Sequence, residues 1–296
     1  MNILVTGAAG VLGSHLIPCL KKEYTLTLLK HERETSENQG SEWVYADLVQ
    51  ETKLSSLLEK IDCVIHLAGV THANNIRRYF EVNEMGTLNL VKASESENIK
   101  HFIFISTRAI NPDGGAYAQS KYAAEKIIEG SRLNWTIIRP AEVYGGGSTE
   151  IITRLIYLIK RFNFMLIPGD GSAKIAPLFI GDLLQFISRI ILNAKSFKKV
   201  YTLAGPVEYT LSEFVDCAAL YLDKKYKPFK IKIPLKVFSL FLELNDKLRL
   251  SESLSQDQID RLLIKKSHDF SLACNDFDFN PINLMEGMNM CGKYFN

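Results

Sequence analysis

The chain has 296 residues, of which 47% are hydrophobic and 23% charged, a composition typical of a folded protein with a sizeable core. A net charge of +2 argues against nucleic-acid binding, and neither a signal peptide nor an apolar run of about 18 residues is predicted, which argues against secretion and a membrane span. The five cysteines and six histidines lack disulfide or metal-ligand spacing, so we expect no metal site and a reducing, cytoplasmic location.

The N-terminal stretch Met1–Gly13 predicts the start of a nucleotide-binding βαβ unit. A short apolar strand, 3–5, runs into glycines at positions 7, 10 and 13, and a helix is predicted over 11–20. Glycine lets the backbone of such a turn approach a pyrophosphate, and the helix N-terminus then faces that anion. The spacing differs from the commoner Gly-x-Gly-x-x-Gly, so an ordinary strand-to-helix turn fits this loop equally well.

The end of the second predicted strand, 25–29, bears on which dinucleotide binds. In such sites the residue about 20 positions after the glycines meets the adenosine ribose, where an acid favours NAD and a cation accommodates the 2′-phosphate of NADP. Lys30 stands there and Arg33 follows, so we predict NADP in preference to NAD. Glu32 could instead bind the ribose of NAD, so NAD remains an alternative. A third interpretation is that 30–33 is only a solvated charged loop with no role in cofactor binding.

Three further strands are predicted over 42–46, 63–67 and 101–106, and one long helix or two over 75–96. The fourth strand, 63–67, is nearly all apolar, which is typical of a strand buried in a parallel sheet. It runs into the small residues Ala68 and Gly69. Ligands of open α/β sheets lie beyond the carboxyl ends of the strands, where small residues would let a cofactor lie against the backbone. A plain strand-to-loop junction fits this piece as well.

A Tyr-x-x-x-Lys pair follows the fifth strand, which ends in Ser106-Thr107. Tyr117 and Lys121 lie on a helix predicted over 116–128 and share one face of it. A cation one turn away stabilises the phenolate form of a tyrosine, so Tyr117 would exchange a proton with a substrate hydroxyl or carbonyl. Thr107 would hydrogen-bond the same oxygen. The spacing alone is common and also fits an exposed helix pair; its position directly after the strand favours the catalytic interpretation.

The second half of the chain predicts a mixture of helices and short strands. In order, these are a strand over 135–138, a helix over 150–160, a strand over 164–167, a helix over 180–193, a strand over 200–203 and a helix over 214–222 preceded by a cap at Thr210–Glu213. Residues 230–250 form the most hydrophobic late segment, with an amphipathic helix predicted after Pro234. Its apolar face fits a membrane surface or a partner, but Glu243 and Asp246 interrupt any basic face and favour packing within a smaller domain.

Nine short segments occur together in an order that is typical of one protein family. They are TGAAGVLG (6–13), ADL (46–48), HLAG (66–69), VNEMGT (82–87), FIST (104–107), YAQSK (117–121), IIRPAEVYG (137–145), PLFIGDL (177–183) and LAGP (203–206). With these segments the chain resembles an extended short-chain dehydrogenase/reductase of the NAD(P)-dependent epimerase/dehydratase group. The resemblance covers nearly the whole chain and is far more specific than any single motif.

The resemblance implies a Rossmann-type, doubly wound parallel sheet with a smaller C-terminal α/β lobe. The dinucleotide-binding domain is expected over 1–150 and 173–205, and the substrate-binding lobe over 151–172 and 206–296. The implied catalytic triad is Thr107, Tyr117 and Lys121. The predicted cofactor-binding residues are Gly7, Gly10, Val11, Leu12, Gly13, Lys30, Asp47, Leu48, Leu67, Ala68, Gly69, Asn83, Tyr117, Lys121, Pro140 and Val143.

The family pattern also implies a role for most of these cofactor-binding residues. The three glycines hold the pyrophosphate, and Asp47 and Leu48 border the adenine. Ala68 and Gly69 lie under the cofactor, Asn83 supports the active-site lysine, and Pro140 and Val143 flank the nicotinamide. Arg139 stays outside this set, since it would pair either with a substrate phosphate or, as a structural cation, with the protein itself.

The predicted function is that of an NADP-dependent oxidoreductase or epimerase that transfers hydride to and from a nucleotide sugar or a similar substrate. Family members often dimerise through helices near 85–97 and 117–129, which implies a homodimer. The segment 108–116 is shorter than in most sugar-nucleotide epimerases of the family and is more similar to atypical members. Those members include relatives of a mitochondrial complex I accessory subunit, some of which bind NADP(H) without known turnover. A structural or redox-sensing module is therefore the alternative, although Tyr117 and Lys121 favour activity.

Overall fold

The computed structural model describes residues 1–31, 42–50, 54–73, 75–112, 114–147, 150–225, 227–240 and 261–291. The chain divides into two compact units. Unit 1 comprises Met1–Pro140, Leu183–Leu203 and Phe270–Phe279; unit 2 comprises Ala141–Asp182, Ala204–Asp269 and Asn280–Asn296. The two units are defined by how the chain packs. The predicted dinucleotide-binding and substrate-binding ranges are defined by function, which packing does not test, so those ranges stay predictions.

Unit 1 is built on a seven-stranded sheet whose neighbouring strands all run parallel. Its strands, numbered in chain order, are β1 (Asn2–Thr6), β2 (Thr25–Lys30), β3 (Glu42–Tyr45), β4 (Cys63–His66), β5 (His101–Ile105), β6 (Trp135–Pro140) and β11 (Lys199–Leu203). They lie in the order β11-β6-β5-β4-β1-β2-β3, so the winding reverses between β1 and β4. This confirms the predicted doubly wound parallel sheet and places the carboxyl ends of β1 and β4 at the crevice where such sheets bind ligands.

The helices of unit 1 connect these strands. They are α1 (Val11–Leu20), α2 (Leu54–Leu58), α3 (Arg77–Tyr79), α4 (Gly86–Ser96), α5 (Ala116–Glu129) and α9 (Ser271–Phe277), while α7 (Ile180–Ile190) begins at the end of unit 2. The helix predicted over 75–96 begins at Arg77 and contains a π-helical segment, Phe80–Met85, between α3 and α4. Such wide turns are frequent at functional sites, and this one contains Asn83.

Unit 2 has short strands in pairs. Its elements are β7 (Val143–Tyr144), α6 (Ile151–Arg161), β8 (Phe164–Pro168), β9 (Lys174–Ile175), β10 (Leu178–Phe179), β12 (Tyr209–Thr210), α8 (Leu211–Tyr221), β13 (Phe229–Ile233) and α10 (Leu284–Met290). The pairs are β7 with β10, β8 with β13, and β9 with β12; the first two are parallel. The cap predicted at Thr210 is present as a reciprocal capping box with Glu213.

The predicted amphipathic helix after Pro234 is described only in part. Residues 235–240 are helical, and residues 241–250 lie outside the described ranges. Within those ranges, no helix combines the length and the apolar character needed to cross a membrane.

Candidate active site

The glycine loop between β1 and α1 has the geometry of an anion cradle. Gly7 has a φ of +67°, and a Cβ atom built on it would lie 2.6 Å from the Ala68 backbone nitrogen, so neither the conformation nor the space admits a side chain. The Gly10 N–H donates to the Gly7 carbonyl at 3.0 Å and closes the turn. Gly10 then caps α1 without a side-chain hydrogen bond, and the first turn of α1 carries no acid. The positive end of the helix dipole is therefore left open for an anion.

A cavity of about 380 Å³, which we call the glycine-loop cavity, opens beside this turn. Its lining consists of Gly7, Ala9, Gly10, Leu29, Lys30, His31, Ala46, Asp47, Leu48, Ala68, Gly69, Val70, Arg78 and Val82. It thus brings together seven predicted cofactor residues, namely Gly7, Gly10, Lys30, Asp47, Leu48, Ala68 and Gly69. The other predicted residues do not line it: Val11, Leu12, Gly13, Leu67, Asn83, Tyr117, Lys121, Pro140 and, in unit 2, Val143.

Charged side chains in the glycine-loop cavity are mostly cationic. Lys30 ends β2 as predicted, while Arg78 is a second cation that the sequence did not single out. The Asp47 carboxylate lies 3.7 Å from His31 Nδ1 and accepts a hydrogen bond from the Val49 N–H at 3.0 Å. The predicted contributions of Glu32 and Arg33 lie outside the described residues.

The catalytic pair predicted on α5 lies in the interior of unit 1. Tyr117 is 8% exposed, and its ring packs edge-on against that of Tyr79 with the centroids 6.1 Å apart. Thr107 Oγ1 accepts a hydrogen bond from the Ala109 N–H at 3.1 Å, which leaves the threonine hydroxyl hydrogen to be donated elsewhere. The neighbouring Ser106 hydroxyl is buried and has no hydrogen-bond partner among the residues that the structure describes.

Lys121 is a buried cation with a strongly perturbed titration. Burial lowers the pKa of Lys121 to about 7, and the nearby Glu125 carboxylate opposes that shift. The ammonium donates to the Ile105 carbonyl at 2.7 Å and lies 3.9 Å from the ring centroid of Phe104, a cation–π geometry that favours the charged form. A side chain whose charge is so finely balanced responds strongly to any anion or dipole that binds beside it.

Asn83, within the π-helical segment, ties the loop after β4 to α5. Its Oδ1 accepts from the Val70 N–H at 2.7 Å, while its Nδ2 donates to the Val70 carbonyl and to Ser120 Oγ, both at 3.0 Å. Ser120 Oγ in turn donates to the Tyr117 carbonyl at 2.9 Å. Asn83 therefore fixes the position of α5 relative to the loop of Gly69, although it does not line the cavity.

A fully buried histidine at the end of β4 extends this network. Thr87 Oγ1 donates to the Asn83 carbonyl at 2.6 Å, so it must accept from His66 Nε2–H, which is 3.0 Å away. His66 Nδ1 consequently accepts from Thr6 Oγ1 at 2.7 Å. Burial, helped by the charge of Lys121, lowers the pKa of His66 to about 3, so the ring stays neutral and this tautomer is maintained at physiological pH.

Arg139 is a structural cation in this protein. Its guanidinium binds both carboxylate oxygens of Glu125, whose side chain is 1% exposed, through Nε at 3.0 and 3.2 Å and through Nη2. The pair raises the pKa of Arg139 above its usual range. The sequence left open whether Arg139 pairs with a substrate phosphate or with the protein itself. In the structure its partner is Glu125, a carboxylate of the protein.

The arrangement fits a dinucleotide. A cavity of this size lies within the range of ligand pockets, and the side-chain-free cradle at Gly7 and the open N-terminus of α1 suit a pyrophosphate. The Ser106 hydroxyl, which lacks a partner among the described residues, and the hydroxyl hydrogen of Thr107 are donors directly after Ile105, whose carbonyl accepts from Lys121. Among the described residues, no group of three or more His, Cys, Asp or Glu side chains is placed to hold a metal ion.

Comparisons with known proteins agree on one family. A family model described as the NAD dependent epimerase/dehydratase family matches residues 3–204. UDP-glucose 4-epimerase of Vibrio cholerae is 26% identical over 324 aligned residues, which cover 99% of this chain and 95% of that protein. N-acetyl-alpha-D-glucosaminyl-diphospho-ditrans,octacis-undecaprenol 4-epimerase of Escherichia coli O157:H7 is 24% identical, with 79% and 76% covered.

A solved structure shows the same fold. UDP-glucuronic acid 4-epimerase from Bacillus cereus, in complex with UDP-glucuronic acid and NAD, superposes with a TM-score of 0.76 at 21% identity. The alignment covers 100% of this chain and 99% of that one.

Proposed function

Because the chain belongs to the NAD dependent epimerase/dehydratase family, we propose that it is an enzyme that epimerises or dehydrates a nucleotide sugar by transient oxidation of a sugar hydroxyl. The observation that carries this proposal is the place of Lys121, which shares α5 with the buried Tyr117. Its ammonium donates to the Ile105 carbonyl at the carboxyl end of β5 and lies near Gly69 of the glycine-loop cavity. The relatives from Vibrio cholerae and Bacillus cereus are named for UDP sugars, which supports a nucleotide sugar as the substrate class.

The proposed chemistry assigns the proton to Tyr117. Tyr117 Oη takes the proton of the sugar hydroxyl while Thr107 donates its free hydroxyl hydrogen to the same oxygen. The Lys121 ammonium stabilises the phenolate form of Tyr117. When bound, the nicotinamide supplies the acceptor and donor of hydride. Gly7, Gly10 and the N-terminus of α1 would hold its pyrophosphate, and Asp47, Leu48, Ala68 and Gly69 would line the rest of the dinucleotide site.

The alternative, a structural or redox-sensing module, rests on the short segment 108–116. The relatives named above are epimerases, which favours turnover. The retained tyrosine and lysine point the same way.

The Tyr117→Phe variant tests the mechanism. We expect turnover to fall by about 10²- to 10⁴-fold, the usual contribution of a positioned acid/base, while dinucleotide affinity and the unfolding midpoint stay near wild type. The assay follows epimerisation or dehydration of UDP-glucose, UDP-glucuronic acid and dTDP-glucose by chromatography. Tyr122→Phe, on the same helix, is the matched control. Full activity in Tyr117→Phe would eliminate the assigned role.

We infer a preference for NADP over NAD from the cations of the glycine-loop cavity. Lys30 occupies the end of β2, where an acid would select the ribose hydroxyls of NAD, and Arg78 supplies a second cation to the same cavity. The Bacillus cereus structure contains NAD, so the inference rests on Lys30 and Arg78 of this chain. Their ammonium and guanidinium groups suit the 2′-phosphate of the adenosine ribose.

Titration of NADPH and NADH by nucleotide fluorescence tests this preference. We expect tighter binding of NADPH by the wild type and a loss of at least tenfold in NADPH affinity in Lys30→Glu, with little change for NADH. Lys92→Glu, at an exposed lysine of α4, is the charge-matched control. Equal affinities for the two nucleotides in the wild type would contradict the inference. The homodimer and the cytoplasmic location stay predictions.

A further inference from the structure

One face of unit 2 exposes apolar side chains where a solvated sheet carries polar ones. Strands β8 and β13 are parallel neighbours, with Phe164 opposite Phe229 and Leu166 opposite Ile231. Residues in register on parallel strands point to the same side of the sheet, so these four form one face. The opposite face is occupied by Met165 and Ile167, which are buried in the core of unit 2.

The outward face is strongly exposed among the described residues. Phe229 is 71% exposed, Phe164 45% and Ile231 39%. Phe162, just before β8, is 39% exposed and packs against Phe164 with ring centroids 5.7 Å apart. Three aromatic rings and an isoleucine thus form a contiguous apolar surface in place of the polar residues expected on a solvated strand.

The helical turn after Pro234 follows β13 directly and exposes three more apolar side chains. Leu235 is 44% exposed, Val237 55% and Leu240 56%. We call the whole set the Phe229 face; it consists of Phe162, Phe164, Phe229, Ile231, Leu235, Val237 and Leu240.

The charge around the Phe229 face is mostly positive, with Asp170, Asp216 and Asp223 at its borders. Segments 157–169 and 224–240, which supply the face, contain seven lysines and one arginine and no aspartate or glutamate. Lys230 and Lys227 lie 2.6 and 3.8 Å from the Asp216 carboxylate, and Lys232 is in register with Ile167 on the opposite side of the sheet. On the apolar side, the Arg161 guanidinium lies 5.6 Å from the ring centroid of Phe162, and Lys236 is exposed between Leu235 and Val237. An apolar surface surrounded by cations complements a surface that is apolar inside and anionic outside.

We propose that the Phe229 face docks the protein on the surface of an anionic lipid bilayer. Exposed phenylalanine and aliphatic side chains bury themselves at the boundary of headgroups and acyl chains, and lysines nearby attract anionic headgroups. The preponderance of lysine over arginine distinguishes this surface from a protein interface, because such interfaces are depleted in lysine and enriched in arginine. Docking of this kind needs no membrane-crossing helix.

Vesicle co-sedimentation of the full chain tests the proposal without reference to enzymatic activity. The probes are vesicles of phosphatidylcholine alone and of phosphatidylcholine with about 30% phosphatidylglycerol. We expect binding to the anionic vesicles at least tenfold tighter than to the neutral ones, with a decrease as salt is raised from about 0.05 to 0.5 M. Equal binding to both vesicles, or binding to neither, would overturn the proposal.

Matched variants locate the binding to this face. We expect Phe229→Ser/Ile231→Ser and Arg161→Glu/Lys236→Glu each to weaken binding to anionic vesicles at least tenfold, because they remove inserted apolar area or reverse two charges. Val207→Ser/Met290→Ser and Lys21→Glu/Lys22→Glu are the controls, since they make the same changes at exposed residues elsewhere. Equal losses in test and control variants would overturn the assignment of the face.

A tryptophan at position 229 distinguishes a lipid surface from a protein partner. In Phe229→Trp we expect a blue shift on addition of anionic vesicles and quenching by brominated acyl chains, relative to the unsubstituted chain with its two tryptophans. Sedimentation velocity provides the opposing outcome. The proposal fails if three results occur together: the wild type self-associates without lipid, Phe229→Ser abolishes that association, and vesicles do not bind. The face would then belong to a second copy of the chain.

Discussion

Two helix starts, α8 in unit 2 and α1 in unit 1, use their polar groups in different ways. In unit 2, α8 begins with Thr210, whose side chain accepts from the Glu213 N–H while the Glu213 carboxylate accepts from the Thr210 N–H. In unit 1, α1 begins at Gly10 with no side-chain cap. Helix α8 satisfies its own N-terminus, whereas α1 leaves N–H groups for a ligand. An uncapped helix next to a cavity is thus a sign of function, because a cap would be stabilising and is absent.

Buried charge repeats this contrast. Unit 1 contains two buried neutral histidines, His66 and His101, the buried Lys121 and the Glu125–Arg139 pair. The apolar cluster of unit 2 is built from aliphatic and aromatic side chains, with the buried Lys266–Glu142 pair at 2.5 Å nearby. Among these groups, His66 belongs to a hydrogen-bonded network with Thr87, Asn83 and Ser120, which ties the stability of unit 1 to the position of α5.

The largest effects should come from breaking the buried ion pairs. Arg139→Met leaves the Glu125 carboxylate buried without its cation, and Lys266→Met does the same to Glu142. We expect each to lower the free energy of unfolding by about 3–5 kcal/mol. Both tryptophans, Trp43 and Trp135, lie in unit 1, so urea unfolding followed by tryptophan fluorescence reports that unit, and circular dichroism reports both.

Because the two ion pairs lie in different units, each substitution should shift a different unfolding transition. Arg139→Met should shift the fluorescence transition, while Lys266→Met should act first on circular dichroism. Glu125→Gln/Arg139→Met should recover much of the lost stability because no buried charge remains. If Lys266→Met shifted both transitions equally, the two units would unfold as one and the comparison would lose its thermodynamic meaning.

His66→Leu should have an intermediate effect. It leaves the hydroxyls of Thr6 and Thr87 without their buried partner, which costs about 1–3 kcal/mol of unfolding free energy. The wild type carries a pH signature as well. Because the folded pKa of His66, about 3, is below the unfolded value of about 6.5, the unfolded chain binds more protons between these pH values, and stability falls as the pH falls through this window.

The dependence of unfolding free energy on pH tests whether His66 is buried in its neutral form. Measured by urea unfolding between about pH 7 and pH 3.5, the slope of stability against pH should be smaller in His66→Leu by up to one proton. His101, whose pKa burial lowers to about 4, should retain its own contribution. An unchanged slope in His66→Leu would contradict a buried neutral His66.

Much of unit 1 was predictable because its signals are local. The strand bounds, the start of α1 at Val11 and, in unit 2, the capped start of α8 follow from apolar runs, glycines and capping residues. The glycine spacing and the Tyr117–Lys121 pair, on which the candidate site was predicted, are local signals of the same kind.

What the sequence did not predict depends on tertiary placement. Arg78 joins the cavity because the loop after β4 carries α3 back toward β2, and no local pattern encodes that return. Strand β13 was missed because Phe229–Ile233 alternates apolar residues with lysines, and the apolar side faces outward, opposite to the usual rule. Of His66, the sequence shows only a strand-end histidine; its two threonine partners lie 60 and 21 residues away.

The smallest and most direct test exchanges the two kinds of helix start. Thr210→Ala removes the α8 cap and should cost about 1 kcal/mol of unfolding free energy without affecting dinucleotide binding. Gly10→Asp supplies α1 with a capping carboxylate; the backbone there is extended at φ −75°, and the new Cβ would lie 3.2 Å from the Gly7 carbonyl oxygen, a contact that a small shift relieves. We expect the unfolding free energy of Gly10→Asp to change by less than about 1 kcal/mol. Dinucleotide affinity should fall at least tenfold, because the new carboxylate occupies the pyrophosphate position and repels the negatively charged pyrophosphate. Denaturant unfolding and NADPH titration on the same two variants measure both quantities. If Gly10→Asp bound NADPH as the wild type does, the open start of α1 would not be the phosphate site, and the contrast with α8 would reflect local sequence alone.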